Sequence, residues 1–552
     1  MPILDRSEAR DLDDALGQLF TAPPGLLVQA LRRVFVERLD FEPATGDILL
    51  PQAGLPPAAQ RIADRDGVQV VLVRFPSTGR PTARAIADAL NLLKQTLSHV
   101  FLVAVNSTGA QIQFIYPTYL GGRDVLRRMA LQKGQPRRTV VEQLARVYEE
   151  AQRGDLAGAL NHAYDVEAVT KRFFQKYSEV FHKVKDMVIG LPDDEERRMF
   201  CQALFNRLMF LYFLQRKGWL TFDGDPNYLE ALWRSYGPQD IGTFYTARLK
   251  VLFFTALSNP RSTDFEVARQ AARDLIGRVP FLNGGLFAEE EIDRRAGVDV
   301  PNEAIDLILH DLFHRFNFTI TESTPYDVEV AVDPEMLGKV FEELITGRHE
   351  TGSYYTPRPI VSFMCREALK GYLQSRVPAL SAEATASFVD QQNVAGISVT
   401  QARPVLTALE EITVVDPACG SGAYLLGMLH ELVDLQKLLY NSNLIVGAKE
   451  LYDLKLRVIE RNVYGVDIDP FAVRIAMLRL WLSLIVEYDG PGAPPALPNL
   501  DYKIACGDSL TAPDPHGTVD FFRDEARKLT LELARLKGEF LRASGKEEKK
   551  PL

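Results

Sequence analysis

The sequence predicts an α/β chain: a parallel sheet in the C-terminal half, preceded by a helical region and a small α/β unit. Three observations predict it. The apolar run Ile412-Thr413-Val414-Val415 leads into Asp416-Pro417-Ala418-Cys419-Gly420-Ser421-Gly422 and then the helix-like Ala423–Leu429, which reads as strand, glycine turn and helix. Asn462-Val463-Tyr464-Gly465-Val466-Asp467-Ile468-Asp469-Pro470 reads as a second strand ending in acids, running into the helical Ala472–Ala476. Tyr502-Lys503-Ile504-Ala505-Cys506 reads as a third, followed by Gly507-Asp508-Ser509-Leu510. Three strand ends that each present an acid form a crevice at the carboxyl edge of a sheet, where nucleoside ligands sit. An acid after the second strand can accept both ribose hydroxyls, and one after the third can accept from an exocyclic amine.

In chain order, residues 1–155 form the small α/β unit. Val68–Phe75 reads as a buried strand, Ala83–Ser98 as an amphipathic helix, and Val100–Val105 and Ala110–Ile115 as strands joined at Asn106-Ser107-Thr108-Gly109. The basic group Arg123, Arg127, Arg128, Lys133, Arg137 and Arg138 is the best local candidate for phosphate contacts, though a solvated loop and helix start explains it slightly better. Residues 156–350 read as mostly helical, with apolar residues at helical spacing over Val169–Val188 and Glu195–Lys217. His310 and His314 lie one helical turn apart among packing residues, and no metal site is predicted. Linkers are expected near Pro192-Asp193-Asp194, across Val377–Thr400 and at Pro491–Pro495. Residues 351–515 hold the sheet described above, and 516–552 read as a charged amphipathic helix, Phe521–Leu541, and a polar linker.

The strand-end motifs, in this order, resemble the S-adenosylmethionine site of adenine-N6 DNA methyltransferases with gamma motif order. More narrowly, the chain is similar to type IIG restriction-modification methylases and to the methylases of the BREX and DISARM phage-defence systems. Asp333–Leu344, Gly352-Ser353-Tyr354-Tyr355-Thr356-Pro357, Phe205-Asn206-Arg207-Leu208 and Lys217-Gly218-Trp219-Leu220 carry the resemblance further, over roughly residues 160–552. It implies a Rossmann-like class I S-adenosylmethionine-dependent methyltransferase core, of which the chain supplies the first half of the sheet. It also implies site roles. Tyr355, Thr356 and Pro357 would meet the methionine end of the cofactor, and Asp416, Ala418, Gly420 and Gly422 would cradle its amino acid part. Asp467 would bind the ribose, Ile468 would lie against the adenine face, and Asp508 would accept from the adenine amine. Asp469 reads as a helix N-cap, since Asp-Pro commonly starts a helix.

One expected companion is missing. The family's Asn/Asp/Ser-Pro-Pro-aromatic loop, which holds a flipped adenine for methylation, has no counterpart in the 552 residues. Asp225-Pro226-Asn227-Tyr228 is nearest in sequence, but it lacks the second proline, lies upstream of the cofactor motifs and reads as a helix start. The strand Ile412–Val415 would then carry an unpaired apolar edge, which is an association site. The expected partners are double-stranded DNA and either a C-terminal continuation or a second polypeptide that brings the catalytic loop and target-recognition region. The N-terminal unit is reminiscent of the nuclease domain of type IIG enzymes. Asp47 or Asp66 could supply its first acid, but the next strand offers Leu72-Val73-Arg74 with no metal-binding acid, so a nuclease-like fold without cleavage is expected.

Composition is consistent with this. The net charge of −10 is not that of a chain wrapped around DNA by itself, and 46 % apolar content supports sizeable cores. Cys201, Cys365, Cys419 and Cys506 form no CxxC pair, so neither a zinc site nor a disulfide framework is indicated, and Cys506 reads as core. The longest apolar run, Val100–Val105, is strand-sized and no signal peptide is seen, so a cytoplasmic enzyme is expected. The competing reading is a non-catalytic cofactor-binding or assembly subunit of a defence complex. A dehydrogenase is disfavoured because the turn is Asp-x-x-x-Gly-x-Gly rather than Gly-x-Gly-x-x-Gly.

Overall fold

The apolar runs at Val68 and Val100 become adjacent parallel strands buried on both faces. In the computed structural model the described residues are 6–120, 123–134, 137–257, 272, 275–280, 282, 285–316, 318, 327–329, 356–447, 449–488, 497–500, 503–511, 532 and 535–536. They divide into two units: 1–180 with 225–227 and 306–333, and 181–224 with 228–305 and 334–552. The expected boundary at residue 155 therefore falls inside the first unit, and the expected helical region 156–350 is shared between both.

The first unit is built on an eight-stranded sheet, β1 (Glu42–Pro43), β2 (Asp47–Leu49), β3 (Ala58–Arg65), β4 (Val68–Arg74), β5 (His99–Val105), β6 (Gln111–Leu120), β7 (Arg123–Gln132) and β8 (Asp327–Glu329). Its order is β1-β3-β4-β5-β6-β7-β8, with β2 on β3. The pairings are antiparallel except β4 with β5 and β7 with β8, so the unit is mixed α/β with a mostly antiparallel sheet. The helix Ala83–Leu93 makes the β4–β5 crossover. Alternation sorts the apolar side chains into two cores. Val70, Leu72, Phe101, Val103 and Phe114 face the helices Arg6–Gln18, Arg138–Ala151 and Leu156–Ala163; Val71, Val73, Leu102, Ala104 and Ile115 face Ala83–Leu93.

One expectation for this unit changes in part, and one candidate acid is located. In the arginine group the expected loop is a strand, Arg123–Gln132 (β7), while the expected helix start is present, with Arg137 as N-cap of the helix Arg138–Ala151. Buried Arg128 donates to Gln113 Oε1 at 3.1 Å, Arg137 forks onto Asp13 at 3.0 and 3.1 Å, and Arg138 reaches Glu142 at 3.2 Å. Arg128 and Arg137 are thus held by internal partners, whereas the Arg138 pair is an exposed one. Asp66 stands with Gly67 at the β3–β4 turn, with φ of 50° and 80°, the positive values a two-residue hairpin turn demands.

The second unit holds β9 (Val414–Asp416), β10 (Val463–Asp467) and β11 (Ile504–Cys506), parallel and in the order β11-β10-β9. Helices Ala423–Asn441 and Leu451–Arg461 connect β9 to β10, and Pro470–Val486 connects β10 to β11. Among the described residues β9 pairs only with β10, and its Val415 is 63 % exposed. The span 377–400 is not a linker: it contains the helix Ala382–Gln391, capped by Ser381 and packed through Phe388 and Val389. A Ser/Ala-rich composition hid those two anchors. Pro192–Asp194 is a helix start, with Asp193 accepting from Glu196 N at 2.9 Å ahead of the helix Asp194–Arg216. That helix is buried on nearly every side from Phe200 to Gln215. Tyr228 opens the helix Tyr228–Ser235, as its sequence predicts. The segments at 333–344, 352–355 and 491–495, and most of 521–541, lie outside the described residues.

Lys503, at the start of β11, is only 2 % exposed, and its Nζ lies 3.6 Å from the centre of the Tyr464 ring with no hydrogen-bond partner among the described residues. Burial pushes its ammonium down from 10.5 to about 8, against the raising effect of Glu460. The folded state thus disfavours the charged form. The unfolded chain holds more protons between pH 8 and 10.5, so this group's contribution to stability improves as pH rises through that window. Lys503→Met is expected to melt higher than the wild type at pH 7, with the gap closing by about pH 10.5. Thermal melts across that pH range check it; a constant gap contradicts it.

Candidate functional site

The site is assembled where the three parallel strands of the second unit end. Gly465 lies opposite both Asp416 and Ile504, and Asp467 lies opposite Cys506, which brings the strand-end acids to one edge. The loops continue the ladder: Cys419 N donates to Val466 O at 2.9 Å and Gly507 N to Asp467 O at 2.9 Å. Gly465 is required by close packing, because a Cβ there would come within 2.8 Å of Leu425 Cδ1 and 2.9 Å of Cys419 Sγ.

The glycine turn needs left-handed backbone at two positions, Gly420 with φ 52° and Gly422 with φ 84°. A Cβ on Gly422 would lie 3.0 Å from Ala476 Cβ, whereas one on Gly420 would meet nothing within 4 Å, so Gly420 opens onto free space. Gly422 is the N-cap of the helix Ala423–Asn441, with no side-chain cap on that end. Asp467 fastens the turn: Oδ2 accepts from Gly420 N at 2.8 Å, and Oδ1 from Asp469 N at 2.9 Å. Asp416 Oδ1 accepts from Ala418 N at 3.2 Å, while its buried Oδ2 has no partner among the described residues. Burial, and further the nearby Asp467 charge, push the Asp416 carboxyl above its ordinary value, although the Ala418 N–H lowers it. A buried carboxylate oxygen without a donor suits a cation or donor group supplied from outside.

The remaining positions lie on the rim. Ile468 is 71 % exposed. Asp508 is exposed, and its carboxyl is held below the ordinary value, first by the Leu510 N–H, which donates to Oδ1 at 2.9 Å, and then by Thr511. Asp469 is the N-cap of Pro470–Val486, accepting from Phe471 N at 2.8 Å, as its Asp-Pro sequence predicts. Thr356 is partly buried and Pro357 exposed. Pro357 precedes the helix Arg358–Arg376, which packs on the helix after the glycine turn: a Cβ on Gly427 would strike Val361 Cγ1 at 2.3 Å, and Ser362 Oγ and Arg366 Nε donate to Glu431 Oε1 at 2.7 and 2.9 Å. Thr356 and Pro357 thus join the site's unit through that helix pairing, with no contact to the acids among the described hydrogen bonds. Tyr355 lies outside the described residues.

Sequence reasoning missed two supporting residues. Ser509 Oγ donates to Pro417 O at 2.7 Å, tying the third loop to the first. Buried Arg479 donates from Nη1 to Ser421 O at 2.7 Å and Ser421 Oγ at 3.2 Å, holding the glycine turn from below. The one signal for Arg479 was a charge inside the apolar stretch Ile475–Ile485. Cys506 corrects the reading as core: it is exposed, with Sγ 3.6 Å from Ile468 O, because the outermost strand turns that side chain to the rim. Cys419 is buried, and burial pushes its thiol up to about 12, so it packs as an inert side chain. Arg479→Met is expected to loosen the glycine turn while β9–β11 persist, raising amide exchange there about tenfold or more. Amide exchange at Gly420–Gly422 checks this, and unchanged protection contradicts it.

Residues 393–490 match the protein family described as MmeI, DNA-methyltransferase domain. The chain is 30 % identical over 380 residues to a Methanocaldococcus jannaschii protein named as a type II restriction enzyme and methyltransferase, covering 65 % of this chain and 31 % of that relative. It is 39 % identical over 74 residues to the adenine-specific methyltransferase PglX of Streptomyces coelicolor, 13 % of this chain and 6 % of that one. The chain spans about a third or less of the length of these curated relatives. Among solved structures it is similar to the type IIL restriction-modification enzyme MmeI in complex with DNA, with a TM-score of 0.40 and 16 % identity over 62 % of this chain and 40 % of that one. A DrdV–DNA complex gives a TM-score of 0.27 and 11 % identity, over 91 % of this chain and 40 % of that one. Over these spans the chain is similar in sequence to restriction-modification methyltransferases. No helix among the described residues is long and apolar enough to cross a membrane.

Proposed function

We propose that this chain carries the S-adenosylmethionine-binding part of a DNA adenine-N6 methyltransferase of restriction-modification or phage defence. The observation that carries the reading is the glycine turn with its two acids. Asp467 clamps Gly420 N, Gly420 opens onto free space, and the buried Asp416 Oδ2 has no donor among the described residues. These features fit the cofactor. Asp416 would face its amino group, and the turn from Ala418 to Gly422 would take its carboxylate on backbone N–H groups at a helix start. Asp467 has lone pairs left on both oxygens for ribose hydroxyls. The exposed Ile468 would cover the adenine face, and Asp508 would accept from its amine. Tyr355, Thr356 and Pro357 would close the methionine end. When bound, S-adenosylmethionine supplies an electrophilic methyl group.

The chain's own part is to bind and orient. The groups that grip the target amine are assigned to a continuation of the chain or to a second polypeptide, which also brings the contacts that read double-stranded DNA. The edge of β9, which among the described residues pairs only with β10, and its exposed Val415 support that assignment. The test is nucleoside analysis of DNA from cells that express the intact locus. N6-methyladenine that disappears on Asp467→Ala supports the reading. Unmodified adenine together with cofactor binding by the purified chain would turn it into that of a non-catalytic subunit.

A further inference from the structure

An open cavity lies at the other end of the helix that starts at the glycine turn. Tyr440 is 17 residues from Ala423 along that helix, about 25 Å at 1.5 Å per residue, so the two places are distinct. The cavity, of about 390 Å³, is lined by Arg403, Glu410, Tyr440, Val446, Gly447, Lys449 and Arg457. Arg403 and Glu410 are two turns apart and so share one face of the helix Val399–Glu411, while Arg457 comes from Leu451–Arg461.

The charge balance is uneven. Lys449 Nζ bonds Glu410 Oε1 at 3.1 Å and lies 5.4 Å from the centre of the Tyr440 ring, so the only acid of the lining is already neutralised. No hydrogen bond or ion pair ties Arg403 or Arg457 to another described residue. Two uncompensated guanidinium groups thus face one cavity in a chain whose net charge is −10. Guanidinium groups present fixed forks of donors that match phosphate oxygens. The volume falls within the range of small-ligand pockets and exceeds what a bare ion fills.

We propose that this cavity is a phosphate-binding site, taking one phosphate and the group that carries it, with Arg403 and Arg457 as the ligating residues. The phosphate comes either from a free phosphate compound or from a nucleic-acid backbone. This inference stands apart from the cofactor reading, since it shares no residue with the strand ends.

The test compares the wild type with the double variant Arg403→Gln/Arg457→Gln, after melts show that both fold. Both side chains are exposed, so the fold is expected to survive. Calorimetric titration with pyrophosphate probes the first source. Fluorescence anisotropy with a short duplex of arbitrary sequence, at roughly 50 to 200 mM salt, probes the second. Pyrophosphate binding that weakens about tenfold or more in the variant supports a free-phosphate site. Duplex binding that weakens, with the log–log salt slope falling by about one, supports a backbone site. Wild-type protein that binds neither probe, or a variant that binds both as the wild type does, overturns the proposal. As a control, Arg403→Lys/Arg457→Lys retains the charge and is expected to recover part of the loss.

Discussion

Asp467→Ala is expected to weaken S-adenosylmethionine binding by more than about 100-fold. The carboxylate fixes the turn by accepting from Gly420 N and Asp469 N, at 2.8 and 2.9 Å, and under the proposed function its remaining lone pairs would take the two ribose hydroxyls. Hydrogen bonds to a charged group contribute about 1.5 to 3 kcal/mol each, so losing two of them costs a factor between about 10² and 10⁴ before any loosening of the turn. Asp467→Asn keeps one acceptor oxygen and is expected to fall between the wild type and the alanine variant. Strand β10 itself is held by backbone bonds on both sides, so both variants should stay folded. Calorimetric affinities beside melting temperatures separate the two effects. An alanine variant that binds like the wild type contradicts the assignment of Asp467.

Arg207→Ala is expected to destabilise the second unit by about 3 to 5 kcal/mol, the usual cost of removing one partner of a buried ion pair. The guanidinium is enclosed. Its Nη1 and Nη2 reach Asp293 Oδ1 and Oδ2 at 3.0 and 2.8 Å, Nε donates to Leu286 O at 3.0 Å and Nη2 to Ala288 O at 3.0 Å. Its Cζ lies 5.7 and 5.0 Å from the centres of the Phe253 and Phe254 rings. The two side chains are 1 % and 0 % exposed. Removing the arginine strands a buried carboxylate, whereas Arg207→Ala/Asp293→Ala removes both charges and is expected to recover part of the loss. Denaturant unfolding of the three variants checks this, and an additive double variant contradicts it.

These two residues also show what could be read from sequence. The position of Asp467 was legible: an acid at the end of an apolar run, two residues before Asp-Pro. Strands β9, β10 and β11 were legible for the same reason, since each apolar run is local and ends at a turn. Arg207 was noticed only as part of a resemblance. Its partner Asp293 lies 86 residues away, and no local pattern announces such a pair. Arg479 and Ser509 escaped for that reason too: each acts on a loop 58 or 92 residues distant. In the first unit β4 and β5 were legible as doubly buried runs. Strand β7 was not, because its arginines broke the alternation, and the partners of Arg127 and Arg128, Tyr164 O and Gln113 Oε1, become visible only in three dimensions.

Calorimetric titration of S-adenosylmethionine into the purified chain tests the central claim most directly. The account predicts saturable one-site binding that Asp416→Asn weakens, since the amide presents a donor as well as an acceptor where the buried Oδ2 now waits. A folded wild-type chain that gives no binding heat, and no melting shift with excess cofactor, would contradict the strand-end site itself.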